Sequence, residues 1–417
     1  MPYLLSMGTF LFIASDYKPL GGGIAAYVDN LVKGLIKNGN EVKVLAVVHP
    51  DEKERITFLE NYENWVSPFA MIHDERPKKW IGSKFVSLLE IIRCLCPHAR
   101  HLMEMTPFFQ SSSHAVSILK DILAKVDPDI VVFGHLDIRL YPFALFLIER
   151  NLPYAVIAHD YEISIQKSRI NDTIIRGMII KGARCIAANS RHTKSLLEMW
   201  GLSKDKITIV HPPISEQAID ESTKSYTRYK SEYYNLVTIC RLVNSKGIDI
   251  VLRALKIMDE QLIPYHYFIG GDGKERKILE ELVKQLGLKR KVYFLGEIAE
   301  DTKWSLLRNG DVFVMPSRVN PRISHEGFGL AFIEAAAFGL PGVGSTGGGI
   351  PDAVIHGETG LLVPQESPEK LAEALMYLYK NPDKREDMGK TAMERARSQF
   401  SHTAVASHIQ KEFTKRM

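Results

Sequence analysis

The chain has 417 residues, of which 45% are hydrophobic and 24% charged, and its formal net charge is +4. That length is too great for one ordinary hydrophobic core and suits two domains. So small a charge gives no case for nucleic-acid binding, which needs a concentrated basic face, and no biased or low-complexity tract separates the chain from ordinary globular proteins.

The N-terminal residues, MPYLLSMGTFLFIASDY, are apolar but contain no Lys or Arg before Lys18. Because a signal peptide begins with a basic segment, we predict a first buried strand instead. No apolar run approaches the roughly 20 residues that a spanning helix requires. Cys94, Cys96, Cys185 and Cys240 form neither a C-x-x-C pair nor a zinc pattern, which favours free thiols in a reducing cytosol. We therefore expect a cytoplasmic protein, at most peripheral at the inner face of the membrane.

The first half of the chain alternates short apolar runs with amphipathic helical patterns. The runs are, in chain order, TFLFIAS, EVKVLAVV, DIVVFGH, YAVIAHD, CIAANS and ITIVHPP. Continuous apolar strands separated by helices predict a parallel sheet that is covered on both faces.

A domain boundary is predicted at VHPPISEQ, residues 210–217, because paired prolines stop regular structure. The alternation then restarts with LVTICRLVNSKG, HYFIGGDG, KVYFLGEI and VFVMPSR. We predict a first domain over 1–212 and a second over 213–399, with a terminal helix, about 400–417, that packs back on the first. Ligands of such sheets bind beyond the carboxyl ends of the strands, so an interdomain cleft is expected.

The first glycine cluster, Gly21, Gly22 and Gly23, follows the first strand and opens the first helix. Glycines let a backbone approach a ligand closely, and free amides at a helix start attract anions. The pattern is not G-x-G-x-x-G, so a dinucleotide is disfavoured. We favour a ligand loop over a plain tight turn, because three glycines exceed what a turn needs.

Two cations, Arg241 and Lys246, follow a strand of the second domain in CRLVNSKG. Arg offers a planar fork and Lys a point charge, and together they suit a diphosphate. Taken alone, two solvated loop charges would be the simpler interpretation. Their expected position opposite the first glycine loop favours a diphosphate clamp.

Two carboxylates eight positions apart, Glu326 and Glu334, lie in HEGFGLAFIEAAAFG, where Gly327 and Gly329 mark a turn before a helix. Glu334 would lie about two turns along, roughly 10 Å from Glu326. The helix amides can bind a phosphate, while carboxylates accept hydrogen bonds from hydroxyls. A nucleoside diphosphate sugar has that order of groups. The simpler interpretation of Glu334 is a capped glutamate at the edge of the core, but its apolar neighbours leave a charge that needs a partner.

Four further features carry weaker signals. The glycines of STGGG, 347–349, form either a structural turn or a ligand loop. His159 follows a strand, and its expected position in the cleft favours function over a structural role. The DPD of 127–129 is predicted to be a helix-to-strand turn rather than a metal motif. Segment 78–100 mixes basic and apolar residues; an ordinary packed helix is favoured over an interfacial helix that contacts the membrane surface.

Taken together, these motifs resemble glycosyltransferase family 4, whose members are retaining enzymes with the GT-B fold. The similar stretches are GGGIAAYVDNLVKGLIKNGNEVKVLAVV, CRLVNSKGIDIVLRAL, IGGDGKERKILEELVKQLGLKRKVYFLGEI and the E-x7-E segment EGFGLAFIE. The resemblance implies two Rossmann-like, doubly wound parallel-sheet domains facing an interdomain cleft. Gly342, after Pro341, and Asp352 depart from the family pattern, and a longer loop around Arg322 precedes the E-x7-E segment.

The resemblance also implies catalytic and donor-binding roles. Arg241 and Lys246 would neutralise the leaving diphosphate. Glu334 would hold the ribose hydroxyls, whereas Glu326 and His159 would contact the donor sugar. The remaining donor-binding positions would act through backbone amides or beside the base; they are Gly22, Gly23, Gly271, Leu295, Gly296, Gly327, Phe328, Gly329 and Leu330.

The predicted function is a retaining hexosyltransferase that moves a sugar from a UDP- or GDP-linked donor to an acceptor hydroxyl, with no metal and no cofactor. The acceptor would be a carbohydrate or a lipid-linked carbohydrate in bacterial polysaccharide, glycolipid or glycoconjugate biosynthesis. The alternative is an inactive partner subunit that binds a nucleotide sugar. An NAD-linked dehydrogenase is disfavoured because the dinucleotide fingerprint is absent from the sequence.

Overall fold

The structure is a computed structural model. It describes residues 7–17, 22–48, 66–70, 107–163, 170–227, 231–319 and 326–417. Gly21, Cys94, Cys96, Arg322 and the segment 78–100 lie outside these residues.

The described chain divides into two compact units that do not follow chain order strictly. The first unit comprises Met1–Ala187, Gly201–Thr208 and Ser407–Met417, and the second comprises Ala188–Trp200 and Ile209–Ala406. Each unit contains its own sheet.

The first unit is built on a sheet with the strand order β3-β2-β1-β4-β5-β6-β7. The strands are β1 Thr9–Ala14, β2 Glu41–Val48, β3 Val66–Ala70, β4 Ile130–Phe133, β5 Tyr154–Ala158, β6 Cys185–Ala188 and β7 Ile207–Ile209. The pairs β1–β2, β2–β3, β1–β4 and β4–β5 are parallel. Leu11, Phe12 and Ile13 are fully buried, as expected of a strand that is covered on both faces.

Helices of the first unit connect these strands. They are α1 Gly23–Lys37, α2 Pro107–Val126, α3 Tyr141–Glu149, α4 Asp160–Ile163 and α5 Ile170–Gly182. Asp129, at the predicted helix-to-strand turn, accepts a hydrogen bond from the Thr9 amide at 2.8 Å. The DPD stretch therefore joins α2 to β4 and ties β4 to β1.

The last residues of the chain complete the first unit. The buried amides of Asn40 and Gln410 exchange two hydrogen bonds, of 3.2 and 2.9 Å. Thr208 donates to the Glu412 carboxylate at 2.8 Å. A paired amide inside a core is costly to separate, because both hydrogen bonds between the two side chains would be lost. Residues 407–417 are therefore an integral part of this unit.

The second unit has a parallel sheet with the strand order β10-β9-β8-β11-β12-β13. The strands are β8 Tyr234–Ile239, β9 Tyr265–Gly270, β10 Val292–Gly296, β11 Val312–Met315, β12 Gly342–Ser345 and β13 Gly360–Val363. The helices are α6 Arg191–Met199, α7 Glu216–Thr223, α8 Ile248–Glu260, α9 Arg276–Gln285, α10 Glu300–Asn309, α11 Leu330–Ala337, α12 Ile350–Ala353, α13 Pro368–Lys380 and α14 Pro382–Gln399. Helix α15, His402–Arg416, begins in this unit and belongs to the first unit from Ser407 onwards.

The two faces of this sheet are covered by different helices. One buried cluster joins α8, α9 and α13 to the strands, and the other joins α7, α10, α11 and α14 to them. Arg191 of α6 forms an ion pair with the buried Asp352 of α12, which holds the stretch Ala188–Trp200 in this unit. The predicted fold class, two doubly wound parallel-sheet domains, is confirmed. Among the described residues, no helix has both the length and the apolarity needed to cross a membrane.

Candidate functional site

The loop after β8 carries both predicted cations of the second unit. Arg241 is exposed, and its side chain forms no ion pair with any residue that the structure describes. Lys246 ends a 3-10 turn, Asn244–Lys246, and Gly247 follows it with φ +68°. A Cβ on Gly247 would lie 2.3 Å from the Pro316 carbonyl oxygen, so this sharp entry into α8 requires glycine.

Lys246 and Glu326 form a close ion pair. The Lys246 Nζ lies 2.5 Å from Glu326 Oε2, and Ser317 Oγ is 3.4 Å from the same oxygen. The side chains of Lys246 and Glu326 are 21% and 13% exposed. Burial acts to lower the pKa of Lys246, but the Glu326 carboxylate outweighs it, so the pKa is raised above its ordinary value. Lys246 is therefore a permanent cation in this site.

Helix α11 begins next to that pair. Gly329 precedes it in the left-handed region, with φ +97°. The Phe328 ring is buried, 5.2 Å from the His211 ring and 5.6 Å from the Phe400 ring. Phe328 can therefore offer a ligand only its backbone. The first amides of an α-helix have no partner within the helix, so Gly327 to Leu330 form a start that suits an anion.

The STGGG loop supports this helix start. The Gly349 amide donates to the Glu326 carbonyl oxygen at 2.7 Å. A Cβ on Gly348 would lie 2.4 Å from that oxygen, and one on Gly349 would lie 2.1 Å from the Gly327 carbonyl oxygen. These glycines are therefore needed for close backbone packing, which accounts for the second glycine cluster without any ligand.

Glu334, on the second turn of α11, has a partner that the sequence analysis missed. Lys303 of α10 places its Nζ 3.0 Å from Glu334 Oε1, and the two side chains are 15% and 18% exposed. The same ammonium lies 3.7 Å from the Glu300 carboxylate and 4.5 Å from the centroid of the Trp304 ring. Nothing in the sequence marked Lys303, because it is an ordinary cation in an amphipathic helix.

The ends of β8, β9 and β10 are joined at two of the predicted donor-binding glycines. The Gly271 amide donates to the Gly296 carbonyl oxygen at 2.7 Å. Gly271 has φ +118°, and a Cβ there would lie 2.0 Å from the Cys240 carbonyl oxygen. Leu295 precedes Gly296 and is 40% exposed, which is unusual for a leucine in a strand. An apolar surface is therefore open beside this strand end.

In the first unit, His159 follows β5 and is buried. Its Nε2 lies 3.2 Å from the Gly134 carbonyl oxygen, so that nitrogen carries a proton and donates it. The Tyr27 ring contacts the imidazole edge-on at a centroid distance of 5.1 Å. Burial lowers the pKa of His159 to about 3, and the imidazole is neutral at physiological pH.

Gly22 and Gly23 open α1 in the same unit. Gly22 precedes the helix with φ +124°, and the Ala26 amide donates to its carbonyl oxygen at 3.1 Å. A Cβ built on either glycine meets no atom within 4 Å. No described protein atom therefore fills the space beside these two glycines, which leaves room for a ligand to approach the backbone closely.

Glu162, which the sequence analysis did not single out, supports the backbone of His159. Its Oε2 accepts a hydrogen bond from the His159 amide at 3.1 Å. Its Oε1 is buried and has no hydrogen-bond partner among the described residues. Burial raises the pKa of Glu162 to about 8, so the carboxyl is largely protonated at neutral pH.

Two family models match successive parts of the chain. Residues 21–218 match the family model described as Glycosyltransferase Family 4, and residues 220–395 match the one described as Glycosyl transferases group 1. The two matches follow each other along the chain and take in most of it. The chain belongs to the family 4 glycosyltransferases. The predicted family is confirmed.

Known relatives of this glycosyltransferase differ in how much of the chain they share. The uncharacterized glycosyltransferase MJ1607 of Methanocaldococcus jannaschii is 26% identical over 382 residues, covering 86% of this chain and 85% of the relative. The GDP-mannose-dependent alpha-(1-6)-phosphatidylinositol monomannoside mannosyltransferase of Mycobacterium tuberculosis is 31% identical over 184 residues, covering 44% of this chain and 48% of the relative. That second match spans about half of the relative's length.

A solved structure shows the fold along nearly the whole chain. HepE of Anabaena, crystallised in complex with UDP, superposes with a TM-score of 0.71 at 18% identity, covering 98% of this glycosyltransferase and 100% of the HepE chain. At 18% identity, this structural similarity is evidence for the fold and not for the function. It confirms the GT-B architecture.

Most of the sequence-predicted site positions of this glycosyltransferase lie in the second unit. The structure brings Lys246 together with Glu326 beside the start of α11, and it joins Gly271 to Gly296. The charge of Glu334, which was predicted to need a partner, is paired with Lys303. Among the described residues, no group of three or more His, Cys, Asp or Glu side chains is placed to hold a metal ion.

Proposed function

We propose that this glycosyltransferase transfers a hexosyl group, with retention of configuration, from a UDP- or GDP-sugar to an acceptor hydroxyl. The observation that carries the proposal is the Lys246–Glu326 pair, held at 2.5 Å beside the start of α11. A cation, a carboxylate and free helix amides in one place suit the junction of a diphosphate and a sugar, because the phosphates need positive charge and the sugar hydroxyls need acceptors.

The diphosphate would be the leaving group, and protein cations would stabilise it. Arg241 is exposed and forms no ion pair within the described chain, so its guanidinium is available for two phosphate oxygens. Lys246 would share its ammonium between Glu326 and a phosphate oxygen. The amides of Gly327 to Leu330 would bind the same group through the positive end of the helix. These groups would supply the charge that a metal supplies elsewhere, so we propose metal-independent transfer.

The reaction would be a front-face displacement. The bond between the anomeric carbon and the diphosphate oxygen breaks, and the bond to the acceptor oxygen forms on the same face of the sugar. The acceptor proton passes to the departing diphosphate oxygen, which becomes more basic as its bond breaks. Preorganised cations lower the barrier because they bind the developing charge more strongly than the ground state.

The other site residues would orient the donor. Glu334 would accept hydrogen bonds from the ribose diol, and Glu326 from the donor sugar. Gly271, Leu295 and Gly296 would lie beside the base; the exposed side chain of Leu295 suits a flat apolar surface. Gly271 is also required for packing against Cys240, so its role beside the base cannot be tested by adding a side chain.

In the first unit, His159 would contact the donor sugar. A neutral imidazole that donates through Nε2 keeps Nδ1 as an acceptor, which suits a sugar hydroxyl rather than a phosphate. Gly22 and Gly23 would let the diphosphate or the acceptor approach the backbone. These roles follow from the family resemblance together with the open space beside both glycines.

The donor base and the acceptor are proposed only as classes. A mycobacterial relative is named for GDP-mannose and a phosphatidylinositol mannoside, whereas HepE was crystallised with UDP. We propose that the acceptor is a carbohydrate or lipid-linked carbohydrate of polysaccharide, glycolipid or glycoconjugate biosynthesis. Membrane contact through 78–100 stays a prediction, because that segment lies outside the described residues.

The test is a donor panel on purified protein with EDTA present. UDP- and GDP-linked hexoses and NAD are compared by thermal shift and by slow hydrolysis of the donor. We expect one nucleotide sugar to stabilise the protein and to release its nucleoside diphosphate, and a transfer product to keep the anomeric configuration of the donor. Binding without any turnover would support an inactive partner instead. A requirement for added metal would refute the metal-independent mechanism.

A further inference from the structure

One carboxylate precedes helix α11 and another lies within it, and a lysine from elsewhere in the unit binds each of them. Lys246 binds Glu326 before the helix, and Lys303 binds Glu334 on its second turn. The side chains of all four residues are between 13% and 21% exposed. The arrangement explains how two carboxylates can lie next to a site for a diphosphate: each negative charge is already neutralised by an adjacent ammonium.

In the Lys303–Glu334 pair, the two oxygens of the carboxylate have different surroundings. Only Oε1 of Glu334 is bound by Lys303, and Oε2 accepts no hydrogen bond from any described residue. Lys303 is itself held by the Glu300 carboxylate and by the ring of Trp304, which is buried. A lysine anchored in this way holds Oε1 of Glu334 in place, which restrains the carboxylate and leaves Oε2 for a ligand.

We propose that Lys303 is a positioning residue that makes the enzyme selective for ribose over 2′-deoxyribose in its donor. It binds one oxygen of Glu334 and leaves the other for the vicinal diol of the ribose. This inference rests on the proposed function, in which Glu334 binds that diol. Without Lys303, the carboxylate would rotate freely and carry an uncompensated charge next to the diphosphate, so both the geometry and the charge balance of the ribose site would be lost.

The experiment measures nucleotide affinity, which needs no turnover. Isothermal titration compares UDP with 2′-deoxy-UDP, and GDP with 2′-deoxy-GDP, in the presence of EDTA. A hydrogen bond to a charged acceptor corresponds to about tenfold in affinity, so the wild type should prefer the ribonucleotide by roughly tenfold. Lys303→Met keeps the aliphatic stem over Trp304 and should reduce that preference to about threefold or less. Lys303→Arg should restore most of it.

Two further variants separate this proposal from the assignment of Glu334. Glu334→Gln should also lose the preference, and the double variant Lys303→Met/Glu334→Gln should lose no more than either alone. Lys370→Met removes an exposed ion pair with Glu373 and should leave the preference unchanged.

Each outcome decides one of the two assignments. A wild-type preference that persists in Lys303→Met but disappears in Glu334→Gln would overturn the role of Lys303 and keep the ribose site. A preference that persists in Glu334→Gln, or absence of nucleotide binding by the wild type, would overturn the proposed donor site together with this inference. If Lys303→Met does not fold by circular dichroism, Lys303→Gln replaces it in the same comparison.

Discussion

Glu162 provides a direct test of the buried polar groups in the first unit. It lies in α4 immediately after β5 and is 4% exposed. Burial raises its pKa to about 8 from an ordinary value of 4.5. Between these two values the folded protein holds a proton that the unfolded chain releases. The free energy of unfolding should therefore fall as the pH rises through this window and should level off above pH 8.

The size of this change in the free energy of unfolding follows from the pH interval between the two pKa values of Glu162. One pKa unit corresponds to about 1.4 kcal/mol, so the 1.5 units between pH 6.5 and pH 8 correspond to about 2 kcal/mol. The neighbouring His159 has its pKa lowered to about 3 from 6.5, so its contribution changes only below pH 6.5. The upper half of the Glu162 window therefore contains no change from His159.

The perturbation is Glu162→Gln, which is neutral at every pH. Urea unfolding of the wild type and the variant is measured at pH 6.5, 7.2 and 8.0 at one ionic strength. The free energy of unfolding of the variant should gain about 2 kcal/mol relative to the wild type across this range. Glu41→Gln, at an exposed position of the same unit, controls for the loss of a carboxyl group. Parallel curves for the wild type and Glu162→Gln would refute the argument that the buried carboxyl is protonated.

Three other variants test the glycine loops and the first ion pair. In Gly23→Ala the added Cβ has no atom within 4 Å, so the variant should fold normally. Its kcat/KM should fall by at least about tenfold, because the methyl group occupies space that a ligand must approach. Unchanged kinetics would show that Gly23 is not part of the site. Gly349→Ala would place a Cβ 2.1 Å from the Gly327 carbonyl oxygen. The free energy of unfolding, measured by thermal or urea unfolding, should fall by about 2 kcal/mol or more. A variant as stable as the wild type would contradict the packing role of Gly349. Lys246→Met should destabilise the second unit by about 1–3 kcal/mol, because it leaves the Glu326 carboxylate without its cation. The double variant Lys246→Met/Glu326→Gln should be more stable than Lys246→Met. Identical unfolding curves for the wild type and Lys246→Met would show that the pair does not contribute to stability.

The architecture could be predicted because parallel strands that are buried on both faces are continuously apolar. Leu236 and Val237, for example, lie in such a run and are buried in β8. Residues that follow those runs are at the carboxyl ends of the strands, so the positions of Arg241 and His159 at strand ends could be predicted without coordinates. The roles of these residues rest on the family resemblance, which periodicity alone does not provide, and they stay predictions.

The partners of the charged residues could not be predicted. Lys303 and Glu334 are 31 positions apart and lie on different helices, and no local pattern records which cation meets which carboxylate. The raised pKa of Glu162 could not be predicted from the sequence either, because it depends on burial rather than on neighbours along the chain. The role of Gly349 stayed open for a similar reason: it depends on the path of the backbone at Gly327.

The paired amides of Asn40 and Gln410 have a consequence for the order of synthesis. These two residues are separated by 370 positions, yet they belong to the same unit. A ribosome therefore releases nearly the whole second unit before the first can obtain its final helix. Until then, the side chain of Asn40 lacks its Gln410 partner, and the surface that residues 407–417 will cover is exposed. Because the second unit needs only Ala188–Trp200 and Ile209–Ala406, it can close first, so the domain that begins the chain would be the last to mature.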